Sequence, residues 1–181
     1  MTDWDERHRA APPDEPCPPI GWEEASLALP PTGRALDVAC GKGAGAVWAA
    51  LQGIDVVALD ASMVAIDAVD ALSAANDVGP RVDARVHDLE TGLPADLGRF
   101  DLVVCQRYRD PRLVPALLAH LAASGVAVLS VLSVVGADRT GRHHAPPGEL
   151  RAAVDEPGFT VRDERESGGL ATVVVQRDPS A

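Results

Sequence analysis

From Ala35 onward, short apolar runs alternate with stretches of helical periodicity, and that rhythm predicts most of the elements. Strands are expected over 35–39, 55–59, 82–87, 100–105 and 126–132, with helices over 44–52, 62–76 and 111–123. The runs are rich in valine and apolar at consecutive positions, as Val126-Ala127-Val128-Leu129-Ser130-Val131-Leu132 shows. Strands of that kind are buried on two faces, which predicts a doubly wound, mostly parallel α/β sheet covered by helices on both sides. Near the end, Gly158-Phe159-Thr160-Val161-Arg162 and Leu170-Ala171-Thr172-Val173-Val174-Val175 flank a Ser167-Gly168-Gly169 turn. This terminal hairpin completes a seven-stranded sheet and makes a C-terminal strand antiparallel. Residues 1–33 are the least regular part: a charged stretch from Met1 to Arg9, then Pro12, Pro13, Pro16, Pro18 and Pro19, which break any helix, then a short helix expected over Trp22 to Leu29. The pattern divides the chain into an N-terminal segment, 1–33, and a domain over 34–181.

The first strand runs straight into Cys40-Gly41-Lys42-Gly43-Ala44-Gly45-Ala46, with the carboxylate of Asp37 just before the turn. Glycines there allow positive φ and close approach of a ligand to the backbone, and the helix that follows points free N–H groups over the turn. Asp60 ends the second apolar run, where doubly wound folds grip a ribose diol. A dinucleotide site reads Gly-x-Gly-x-x-Gly, and Ala46 is compatible with its last position. Asp37 separates the two cofactor classes better, because a carboxylate repels a pyrophosphate and tolerates a cationic sulfonium.

On these residues the chain resembles the class I S-adenosylmethionine (SAM)-dependent methyltransferases, over roughly 34–176. More narrowly it resembles the small bacterial branch with Ala-Cys-Gly in the first motif, which includes tellurite-resistance-type and thiopurine-type enzymes. Ala39 stands where the general pattern has its first glycine. The resemblance implies a Rossmann-like methyltransferase fold with SAM as cofactor. It places Asp37 near the methionine end, Ala39, Gly41 and Gly43 beneath it, Asp60 and Ala61 at the ribose, and Asp88 and Leu89, within Val86-His87-Asp88-Leu89, near the adenine. Cys105 ends the strand Phe100-Asp101-Leu102-Val103-Val104-Cys105, which leads into the substrate side. The terminal hairpin agrees, since dinucleotide domains end on a parallel strand. An N-terminal segment covers the site in related small methyltransferases, so residues 1–33, with Trp4 and Trp22, are expected either to close over the cofactor or to anchor themselves to the domain.

Composition narrows the partners. A chain of 181 residues that is 46% hydrophobic has room for one core, and a formal charge of −11, with 16 basic against 27 acidic residues, argues against a nucleic-acid substrate. Cys17, Cys40 and Cys105 follow no metal spacing, so no metal is expected, and no leader or membrane span is visible; a reduced, cytoplasmic protein, monomer or homodimer, follows as the expectation. The methyl acceptor is expected to be a small molecule, a thiol or chalcogen centre among the options, because soft nucleophiles need no general base. The acceptor-side candidates are Tyr108, the single tyrosine, and His143 and His144 in the polar loop 136–147. Cys40 suits packing, Asp67 and Asp70 a solvated helix face, and Lys42 lacks the frame of a nucleotide-triphosphate loop. Two rivals stand beside this reading: a nicotinamide-dependent oxidoreductase and a non-catalytic SAM-binding protein.

Overall fold

The computed structural model describes residues 3–23 and 25–180. Strands β1 (Arg34–Val38), β2 (Asp55–Asp60), β3 (Val82–Val86), β4 (Phe100–Gln106), β5 (Leu121–Leu132), β6 (Phe159–Ser167) and β7 (Leu170–Arg177) form one sheet in the order β3-β2-β1-β4-β5-β7-β6. The mostly parallel sheet with an antiparallel C-terminal hairpin is the architecture that the alternation of apolar runs predicts. Residue contacts divide the chain into two compact units.

The first unit comprises residues up to Pro18 together with Leu29–Gly98. Its strands are parallel, with Val38 opposite Leu59 and Asp60 opposite Val86. They carry helices α1 (Asp3–Ala10), α2 (Ala44–Leu51) and α3 (Met63–Ala75). β1 and β2 are buried along nearly their whole length, so consecutive apolar residues are required, whereas edge strand β3 is only half-buried and reads more polar. Ser62 caps α3 by accepting from the amide of Ala65. α2 has no such cap and starts from Gly43 at φ +90°. A side chain at Gly43 would also stand 2.9 Å from a methyl of Val69, so the turn packs directly against α3.

The second unit comprises Pro19–Ala28 and Arg99–Ala181. β4 and β5 are parallel; β7 runs antiparallel to β5 and to β6. Gly168 and Gly169, both at positive φ, make the predicted hairpin turn. Helices α4 (Val114–Ala119) and α5 (Glu149–Ala153) have only six and five residues.

Four local expectations need correcting. The helix expected over 111–123 is confined to α4, and β5 begins at Leu121 rather than 126. The reason lies in Ser124 and Gly125: Ser124 adopts φ +62°, and a side chain at Gly125 would stand 2.8 Å from the carbonyl of Phe100, so the strand bulges between its pairings Phe100–Leu121 and Leu102–Val126. Trp22 to Leu29 forms turns among its described residues, because Gly21 and Ser26 take left-handed conformations and Pro30-Pro31 stops the run. The charged stretch within residues 1–33 instead yields α1, which packs against α3. Loop 136–147 is tied back at Ala145, whose amide donates to Leu132 and whose carbonyl accepts from Val134.

Candidate active site

The carboxyl ends of β1, β2 and β3 bring together most of the cofactor residues predicted from the sequence. Asp37 is buried on β1, and a side chain at Gly45, in the first turn of α2, would come within 3.2 Å of its carboxylate, so glycine there lets the helix start close over it. Burial, with the nearby charge of Asp60, raises its pKa from 3.8 to about 7 against the opposing amide of Ala46. Asp60, at the tip of β2, is also buried, and both of its oxygens are used: one accepts from the amide of Gly41 at 3.0 Å, the other from that of Ser62 at 2.9 Å. One side chain thereby fixes the glycine turn and the start of α3. Beyond it, the amide of His87 donates to the carbonyl of Asp60 at 2.8 Å, which sets the end of β3 beside the end of β2. Asp88 there is exposed and caps a short turn through Glu90, and Leu89 is buried.

Within the turn, Ala39 sits at φ +53° and Gly41 at φ +55°. A side chain at Gly41 would meet only the imidazole of His8, 3.6 Å away. The space above the turn therefore faces α1. Two contacts that sequence reasoning missed hold this N-terminal strap. Lys42 is buried and donates to the carbonyls of Ala11 and Pro12, and Ser62 donates to Asp5 at 2.6 Å. A signal was available, since Lys42 is the only lysine in the chain. Cys40 donates weakly to the carbonyl of Gly41, and burial beside Asp37 and Asp60 pushes its thiol up, which leaves it a packing group rather than a nucleophile.

The second unit carries the acceptor-side candidates. Cys105, next to last in β4, lines with Tyr108 a cleft under α4 and α5. His143 and His144 are placed elsewhere: His143 is exposed and bonded to Arg142, and His144 accepts from the amide of Gly141 within its own turn. Trp22 is buried in the same unit, whereas Trp4, on α1, is exposed under the guanidinium of Arg7. Asp67 and Asp70 lie on the exposed face of α3.

Residues 35–124 match the family model of a methyltransferase domain. The chain carries a methyltransferase domain. Its fold is shared by TehB from Haemophilus influenzae, at TM-score 0.70 and 15% identity over 86% of this chain and 60% of that one. A SAM-dependent methyltransferase from Mesorhizobium loti superposes at 0.68, with 19% identity over 87% and 97%. A ribosomal protein L11 methylase from Lactobacillus delbrueckii subsp. bulgaricus gives 0.67, with 22% identity over 88% and 75%. No curated protein matches at the sequence level. These likenesses show the methyltransferase's fold and leave its acceptor open. The nicotinamide rival falls, because the domain match covers the glycine turn and because β7 is antiparallel.

The residues present fit SAM. A buried carboxylate poised near neutrality favours a cation, and Asp60 is held rigidly with lone pairs to spare for hydroxyl donors. Among the described residues no helix of this methyltransferase is long and apolar enough to cross a membrane, and no group of three or more His, Cys, Asp or Glu is placed to hold a metal ion.

Proposed function

We propose that this methyltransferase binds SAM on the first unit and methylates a small-molecule acceptor. The buried Asp37–Asp60 pair around the glycine turn is the observation that carries the reading. Bound SAM supplies a methyl group already activated by its sulfonium charge. The protein then has to position and dehydrate rather than activate. In this reading Asp37 pairs with the positive end of the cofactor, Gly41 and Gly43 pass beneath it with Ala39, Asp60 and Ala61 hold the ribose, and Asp88 and Leu89 border the adenine. The strap formed by α1 and residues 11–12 acts as a cover, closed by Lys42 and Asp5 and released for cofactor exchange.

A small acceptor suits an acidic chain that lacks a basic surface for nucleic acid. A soft nucleophile such as a thiol suits an acceptor side whose cleft is lined by no histidine, His143 and His144 being engaged within their own loop. Cys17, Cys40 and Cys105, none of them in a disulfide, fit a reducing compartment such as the cytoplasm, and a monomer or homodimer suffices for this chemistry.

Thermal unfolding with S-adenosylhomocysteine tests the cofactor site: the midpoint is expected to rise, and Asp60→Ala to abolish the rise. Transfer of a labelled methyl to small thiols and phenols tests the acceptor class. No histidine is among the residues that line the cleft, which also favours a second reading, a SAM-binding protein without transfer activity. Tight S-adenosylhomocysteine binding with no methyl transfer to any acceptor class would decide for it.

A further inference from the structure

Helices as short as α4 and α5 cannot cover the full width of the strands beneath them. They leave a narrow cleft at the carboxyl ends of β4 and β5, with about 390 Å³ of empty space, mouth included. Its walls are apolar apart from the buried hydroxyl of Ser130: Leu117 and Val114 of α4, Leu150 of α5, and Leu129 and Val131 of β5, all buried. Cys105 and Tyr108 mark the end at the tip of β4.

Charge occurs only at the rim, and there it is compensated. Arg109 grips Glu149 with two hydrogen bonds, at 2.7 and 2.6 Å, which tie the loop after β4 to the start of α5. The neighbouring Asp110 is taken by Arg112 in the same two-pronged manner. A charged ligand entering the cleft would have to break one of these pairs or leave its own charge desolvated among leucines and valines. A net charge of −11 adds repulsion against anions.

We infer that this cleft is the acceptor site, and that the acceptor is a neutral, largely apolar molecule, with its nucleophilic atom at the Cys105–Tyr108 end. The inference rests on the methyltransferase reading for the word acceptor, while the cleft and its preference for neutral ligands stand on the geometry alone.

The test uses 4-fluorophenol and 4-fluorobenzoate as probes, followed by fluorine NMR on the full chain, with amide shifts locating the site. Ala153→Phe fills the cleft from α5, and Ala152→Phe places the same ring on the exposed face of that helix. Expected are binding of 4-fluorophenol with shifts at Leu117 and Leu150, benzoate weaker by about tenfold or more, and loss of phenol binding by about tenfold in Ala153→Phe but not in Ala152→Phe. Equal or tighter benzoate binding overturns the neutral class. Phenol binding that survives Ala153→Phe, or that is absent from a protein still stabilised by S-adenosylhomocysteine, overturns the site. Failure of S-adenosylhomocysteine to stabilise the protein strikes the cofactor reading instead, and leaves the phenol measurements to judge the cleft by themselves.

Discussion

Ala39 occupies a left-handed conformation, φ +53°, where the family pattern has glycine. A Cβ in that region costs about 1 kcal/mol, partly offset by the lower freedom of alanine in the unfolded chain. Ala39→Gly is therefore expected to stabilise the protein by about 0.5 kcal/mol or more and to raise the thermal midpoint by about 2 °C. Asp37 is the larger case. Its folded pKa of about 7 lies above the unfolded value of 3.8, so between these values the unfolded chain sheds a proton that the folded chain keeps. Stability falls as pH rises through that window, by up to about 4 kcal/mol above pH 7. Asp37→Asn removes the loss, and its midpoint at pH 8 is expected to exceed that of the parent by about 5 °C or more. The same substitution should weaken SAM binding and abolish its pH dependence: in the parent, SAM affinity rises with pH through about 7 as the carboxylate ionises, which calorimetric titration of both proteins would measure. Both residues were legible in the sequence, because a carboxylate at the end of an apolar run before Cys40-Gly41-Lys42-Gly43 has few structural reasons to be there. The grip of Asp60 on Gly41 was not, since it joins positions 19 apart and depends on the fold.

Elements built from many consecutive apolar residues were legible for the reason that makes them strands: β1, β2, β4 and the second half of β5 are buried on both faces. What escaped were elements whose existence depends on tertiary partners. α1 is an eight-residue, highly polar helix of the kind that is marginal alone, and it is held by Asp5–Ser62 and Lys42. α5, with five residues, is anchored through Arg109–Glu149, a pair 40 positions apart that no local pattern announces. The start of β5 reads as helix until Phe100 is seen opposite Leu121. Lys42→Met tests the strap at this scale. It removes two charge-assisted hydrogen bonds, each worth about 1.5–3 kcal/mol, from a contact confined to residues 11–12. Amides of α1 are expected to exchange with deuterium about tenfold faster while those of α3 stay protected. Unchanged exchange in α1 would mean that Asp5 and packing on α3 suffice to hold it.

At the scale of the whole molecule, the decisive property is charge. With a pI near 4.7 and a net charge of −11, the surface repels polyanions at neutral pH. Fluorescence anisotropy with a labelled single-stranded oligonucleotide of about 20 bases is expected to show no binding below about 100 μM protein at about 150 mM salt; binding in that range would return nucleic acid to the acceptor question. That charge is assembled almost without ammonium groups, because 15 of the 16 basic residues are arginines and the remaining one is Lys42. The amine that ties down the strap is thus the sole side-chain amine on the chain, and an amine-selective acylating reagent is expected to reach it in molecules whose strap has let go. Mass spectrometry of the tryptic fragment containing Lys42 would turn the labelling rate into a clock for strap opening, running in the unmodified sequence with no probe to install.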